Sequence, residues 1–160
     1  MEENYKTYLD NGIYDIQDGK YICAIDNINK SLELKNDWEI PYFYRAVANQ
    51  ALKQYDEAMI DYTKALLLND KMTDAYYNRA YITLSRKDIE NPDIEGAVKD
   101  LEKALELDGN FIDALYAMAA AQKKLEHYDT AIEYLDRLLK HEPDAVNAKA
   151  LKKLILQKYM

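Results

Sequence analysis

Along the chain, apolar residues return at spacings of three, four, seven and eight with charged residues between them, the pattern of helices that each bury one face. Tyr55-Asp56-Glu57-Ala58 recurs as Tyr128-Asp129-Thr130-Ala131, and Tyr21-Ile22-Cys23-Ala24 has the same shape. The alanines at 24, 58, 97 and 131 are separated by 34, 39 and 34 residues. A second series of small residues, Gly12, Ala46, Ala80 and Ala119, is separated by 34, 34 and 39. Two series with one period define a repeat, and its single irregular step lies between Ala80 and Ala97. Larger residues keep the register: Tyr8, Tyr42, Tyr76 and Leu115 stand four before the second series, while Ile28, Tyr62, Leu101 and Leu135 stand four after the first. Leu32, Leu66, Leu105 and Leu139 follow eight after it. Each period therefore holds two amphipathic helices, and Gly or Ala marks where their backbones must approach to about 8 Å.

The segments Tyr42-Phe43-Tyr44-Arg45-Ala46 and Tyr76-Tyr77-Asn78-Arg79-Ala80 resemble the first helix of the tetratricopeptide repeat family, a helix-turn-helix unit of about 34 residues. Tyr55-Asp56-Glu57-Ala58 through Tyr62-Thr63-Lys64-Ala65-Leu66 is similar to its second helix. The resemblance covers nearly the whole chain. It implies an all-α, right-handed α-solenoid of four helix-turn-helix repeats, forming a single domain over 1–160. The repeats are expected at 5–38, 39–72, 73–111 and 112–145, with a C-terminal capping helix over 146–160. The third repeat is five residues longer than its neighbours, and the extra residues fall in 86–93, between its two helices. Asn91-Pro92 predicts a helix start there, with proline at the first helical position. The insertion reads either as a tolerated surface loop or as a loop with a role of its own. Only Pro143 fills the family's usual proline place between repeats; Asn36, Asp70 and Gly109 stand at the others. In the last helix, Ala148, Leu151, Leu154 and Ile155 form one apolar stripe. That stripe predicts a cap over the open end of the core, or alternatively a face through which two copies of the chain form a homodimer.

By the same resemblance, binding takes place on a concave face lined by the first helix of each repeat, at its second, fifth, sixth, ninth, twelfth and thirteenth positions. In the third and fourth repeats these positions are Asp74, Tyr77, Asn78, Tyr81, Leu84 and Ser85, then Asp113, Tyr116, Ala117, Ala120, Lys123 and Lys124. The candidate groove is Leu9, Ile13, Phe43, Tyr44, Val47, Tyr77, Asn78, Tyr81 and Tyr116. Tyrosine offers a large ring and a hydroxyl that can stay wet, so the expected ligand is a protein or peptide with an apolar segment or an amphipathic helix. The alternative for any one ring is packing between neighbouring repeats. Family members that hold the acidic carboxyl-terminal tails of heat-shock chaperones need Lys, Asn and Arg at fixed places to grip carboxylates. Those places fall here on Leu9, Ile13, Tyr44, Asp74 and Asn78, or one repeat later on Phe43, Val47, Asn78, Asp113 and Ala117. One Asn matches and the charges do not, which disfavours such tails.

Composition narrows the function further. Among 160 residues there are 4 glycines and 3 prolines, consistent with long helices. A formal net charge of -8 disfavours nucleic acid and anionic membrane surfaces. No apolar run approaches the roughly 20 residues of a membrane span. A single cysteine and an opening Met-Glu-Glu-Asn-Tyr-Lys that lacks a basic segment and apolar run lead to the expectation of a cytoplasmic protein. His127 and His141 sit at opposite ends of one expected helix, about 20 Å apart, too far to share a metal. Cys23 has no neighbouring His and reads as a structural residue packed beside Ala24. A phosphate loop, zinc-ligand spacing and a nucleophile elbow are all missing from the sequence. The expectation is no enzyme, no cofactor and no metal, but an adaptor or scaffold. The alternative use of the same groove is a small acidic chaperone for secreted or membrane-associated client proteins.

Overall fold

The computed structural model describes residues 3–160, so Met1 and Glu2, part of the opening read above for a leader, lie outside the described residues. Among the described residues the chain forms helices α1 Glu3–Gln17, α2 Tyr21–Leu34, α3 Glu39–Ala51, α4 Tyr55–Leu68, α5 Thr73–Ser85, α6 Ile94–Leu107, α7 Ile112–Lys124, α8 Tyr128–His141 and α9 Val146–Tyr159. No strand occurs among them. The chain divides into two units, 1–75 and 76–160, and the division falls inside α5.

In the first unit α1 packs on α2, α2 on α3 and α3 on α4. Gly12, Ala24, Ala46 and Ala58 are all buried there. A Cβ on Gly12 would lie 2.6 Å from Ile28 Cγ1 and 3.2 Å from the Ala24 carbonyl oxygen, so glycine is required where α1 crosses α2. Leu9, Ile28 and Leu32 form the core beside that crossing. Tyr62 is fully buried in α4, and its hydroxyl donates to Gln50 Oε1 at 2.7 Å. In the second unit Ala80, Ala97, Leu101 and Met118 belong to one cluster. Leu115, Ala119, Ala131, Leu135 and Ile155 belong to another. The helix α9 lies on α8 and caps this second cluster, with Ala148 and Ile155 buried. Its apolar stripe is only partly used, because Leu154 remains 43% exposed.

Three hairpins turn in the same way. Gly19, Lys53 and Glu126 have φ of 75°, 61° and 63°, each two residues past the end of a first helix. The Lys53 N–H donates to the Gln50 carbonyl at 3.0 Å and the Gln54 N–H to that of Asn49 at 2.8 Å, a pattern repeated at Gly19-Lys20 and Glu126-His127. These bonds satisfy the last carbonyls of the helix. A residue with a Cβ is strained in this left-handed conformation by about 1 kcal/mol or more. Lys53→Gly and Glu126→Gly are therefore expected to raise stability by about 0.5 to 1 kcal/mol each in urea denaturation, and Gly19→Ala to lower it by a similar amount. Unchanged midpoints for all three would show that the left-handed turn is not held in solution.

The third hairpin replaces that turn with residues 86–93. Arg86 donates to both carboxylate oxygens of Asp88, at 3.0 and 2.6 Å. Asp93 caps α6 by accepting from the Gly96 N–H at 2.8 Å. The helix consequently starts at Ile94, and Pro92 precedes the cap instead of occupying the first helical position. A carboxylate that satisfies a free amide fixes the start more strongly than the proline does.

Matching ion pairs cross two of the hairpins. Arg45 of α3 grips Asp61 of α4 through Nε and Nη2 at 2.7 and 2.8 Å, and its Nη1 donates to Asn29 Oδ1 of α2 at 2.7 Å. Arg79 of α5 grips Asp100 of α6 in the same two-pronged way, both at 2.7 Å. Each guanidinium is held above its ordinary range, chiefly by the hydrogen bond to its carboxylate. The first and fourth repeats carry Asn11 and Asn27, then Met118 and Tyr134, at the corresponding places, so the pair is confined to the middle two repeats.

Candidate functional site

The second unit contains a cleft of about 480 Å³. Tyr77, Tyr81, Leu84 and Ser85 line it from α5, at spacings of four, seven and eight that keep them on one helix face. Ile112, Asp113, Tyr116, Ala117, Ala120 and Lys124 line it from α7. The floor is deep because Ala117 and Ala120 carry only a methyl group between larger neighbours. Leu138 and Glu142 at the end of α8, Ala145 in the following turn, and Val146, Asn147 and Ala148 at the start of α9 close the opposite wall.

Rings on the α5 side support one another. Tyr77 packs on Phe111 with centroids 4.9 Å apart and lies 6.0 Å from Tyr81. The Tyr77 phenol is pushed up to about 12, first by burial and then by the nearby Asp113 charge and Tyr81. Its hydroxyl thus stays neutral, and able to donate, well beyond physiological pH. Tyr81 is 47% exposed and Tyr116 36%, so their rings meet the open space of the cleft. Asp113 and Glu142 stand at one end; Lys124, in the last turn of α7, stands toward the other.

Among the candidate residues of this unit, Tyr77, Tyr81 and Tyr116 come together on the cleft, while Asn78 is not part of its lining. The first-unit candidates are more covered. Leu9 is 5% exposed and sits in the core with Ile28 and Leu32, so it is a packing residue and no groove contact. Its depth follows from α1 crossing α2 at the bare Gly12. Ile13 and Tyr44 pack against that same core. Phe43 meets Tyr44 at 5.3 Å and Tyr62 at 5.8 Å, edge to face in both cases. Val47 is half-buried. A separate depression in this unit, about 370 Å³, is lined by Asn29, Leu32, Glu33, Asn36, Tyr42 and Arg45 and by none of the candidates.

The residues weighed for catalysis have other surroundings. Cys23 is exposed, contrary to its reading as a packed residue: one position from Ala24 turns it about 100° around the helix and away from the crossing. His127 is the N-cap of α8, with Nδ1 2.9 Å from Gln122 Oε1, and His141 is the last residue of that helix. The wall from α8 and α9 was not anticipated, since only first helices were expected to face the ligand. No sequence signal marked it: Val146, which opens the last helix, is 76% exposed, a depth that only the placement of α9 reveals.

Residues 42–72 match the family model described as tetratricopeptide repeat, and residues 112–159 match the one described as Fis1 C-terminal tetratricopeptide repeat. Hsp70-Hsp90 organizing protein 1 of Glycine max is 38% identical over 104 residues, which cover 62% of this chain and 17% of that protein. TPR repeat-containing protein MJ1428 of Methanocaldococcus jannaschii is 26% identical over 153 residues, covering 89% of this chain and 26% of that protein. The chain thus matches about a quarter or less of the length of these relatives. The first TPR domain of Spaghetti (RPAP3), solved with the HSP90 peptide SRMEEVD, superimposes with a TM-score of 0.71 at 27% identity over 78% of this chain and 94% of that one. MamA superimposes with a TM-score of 0.79 at 23% identity over 90% of this chain and 81% of that one, a likeness of fold.

Proposed function

Because the chain belongs to the tetratricopeptide repeat family, we propose that it is a protein-protein interaction module, an adaptor or scaffold that holds an apolar peptide segment of its partner in the cleft between α5, α7 and α9. The observation that carries this reading is the pair of half-open rings, Tyr81 and Tyr116, set over a floor of Leu84, Ala117, Ala120 and Leu138. Its volume of about 480 Å³ falls in the usual range of ligand clefts, about 300 to 1,000 Å³. The likeness to a domain solved with a bound peptide supports the same use. An acidic tail such as that peptide is a poor fit here, because the lining offers one cation, Lys124, and two carboxylates, Asp113 and Glu142.

Panning a library of linear peptides on the immobilised chain tests the reading. Enriched peptides should carry two or more large apolar residues. Tyr81→Ala/Tyr116→Ala should weaken their binding by about tenfold or more, about 1.4 kcal/mol, as expected for aromatic anchors. The thermal midpoint should move by no more than about 3 °C, since both rings are already partly open. Enrichment that survives the double substitution undiminished would move the site elsewhere.

A further inference from the structure

The cleft is apolar along its length but charged at its ends, and the two ends differ. Asp113 lies in the first turn of α7 and Glu142 directly follows α8; both are exposed side chains that line the cleft. Among the described residues neither has an ion-pair partner, and neither does Lys124. Two unpaired carboxylates lining one apolar trough offer several acceptor oxygens to a donor. A partner cation placed there would meet complementary charge. The net charge of -8 adds a long-range attraction for cationic segments.

We infer that the cleft selects a short extended segment of a partner protein, with large apolar side chains in the middle and a lysine or arginine at the end that meets Asp113 and Glu142. This inference rests on the function proposed above and deepens it. The length follows from the helix: Asp113 and Lys124 are eleven positions apart on α7, about 16 Å at about 1.5 Å per residue. An extended chain covers that distance in about five residues at about 3.3 Å each. Such a ligand has the opposite charge preference to an acidic tail, and the polarity of the cleft is what distinguishes them.

Three blocked hexapeptides test this directly, each with the core Leu-Phe-Ala-Leu and a glutamine at one end, and with lysine, glutamine or glutamate at the other. Binding of fluorescent versions to the full chain is read by anisotropy at low ionic strength. The lysine peptide should bind about fivefold tighter than the glutamine peptide and the glutamate peptide about fivefold weaker, the scale of two partly exposed charges. In Asp113→Asn/Glu142→Gln the three affinities should converge, with an unchanged melting curve because both side chains are exposed. Equal affinities in the unsubstituted chain would overturn the charge preference and leave the peptide-binding reading standing. Failure of all three to bind would overturn both. A lysine preference that persists in the double variant would place the cation elsewhere and also overturn the inference.

Discussion

Asp61→Ala is expected to destabilise the chain by about 3 kcal/mol in urea denaturation, one of the two largest single effects foreseen here. The carboxylate is 6% exposed and receives two hydrogen bonds from Arg45, at 2.7 and 2.8 Å. Removing it leaves a guanidinium half-buried between α2, α3 and α4, with the Asn29 side chain and the face of the Tyr42 ring in place of a counter-charge. The cost comes mainly from that stranded charge, so removing both members should cost less than removing one. Arg45→Met/Asp61→Ala is accordingly expected to recover about 1 to 2 kcal/mol of the loss, because methionine fills similar volume without needing a partner. If the double variant were as unstable as the single one, the loss would be one of packing and not of charge. Asp100→Ala should cost less than Asp61→Ala, since Asp100 is the more open of the two.

The second large effect concerns the crossings. Ala131 is 0% exposed and packed among Leu115, Ala119, Leu135 and Ile155. Leucine there must push α7 and α8 apart or take a strained rotamer, so Ala131→Leu should cost on the order of 1 to 3 kcal/mol, and Ala58→Leu likewise in the first unit. Ala120 supplies the contrast. It lies next to Ala119 on α7 but lines the cleft, so Ala120→Leu should leave the melting curve almost unchanged while filling the floor and abolishing peptide binding. Urea melts of the three variants read the difference. Equal stability for Ala131→Leu and the parent would contradict the register of the small residues.

What could be read from the sequence is what backbone geometry enforces. Gly12 and the alanines at 24, 46, 58, 80, 97, 119 and 131 are small because two helices touch there, and a contact of backbones tolerates few residue types. Their spacing therefore set the hairpins in order before any side chain was placed. The α5 and α7 walls were implied by the resemblance to the tetratricopeptide repeat family, and Tyr77, Tyr81 and Tyr116 meet on one cleft. Depth was harder to read. Leu9 and Tyr116 both stand at the fifth position of their repeats, yet one is core and the other open, because depth depends on how closely the neighbouring helix lies and not on the residue's place in the repeat. The Arg45-Asp61 and Arg79-Asp100 pairs were invisible for a related reason: charged residues on helix faces look alike until a second helix brings two of them together. The α8-α9 wall needed the placement of the last helix, which a pattern of apolar residues does not specify.

Backbone amide NMR during titration with the glutamine-ended hexapeptide locates the binding surface without any substitution. The largest chemical-shift changes are predicted at Tyr81, Tyr116, Ala120 and Asn147, the lining of the second-unit cleft. No changes on titration, or changes centred on exposed apolar residues such as Ile60 and Leu67, would contradict the assignment of that cleft as the site where a partner is held.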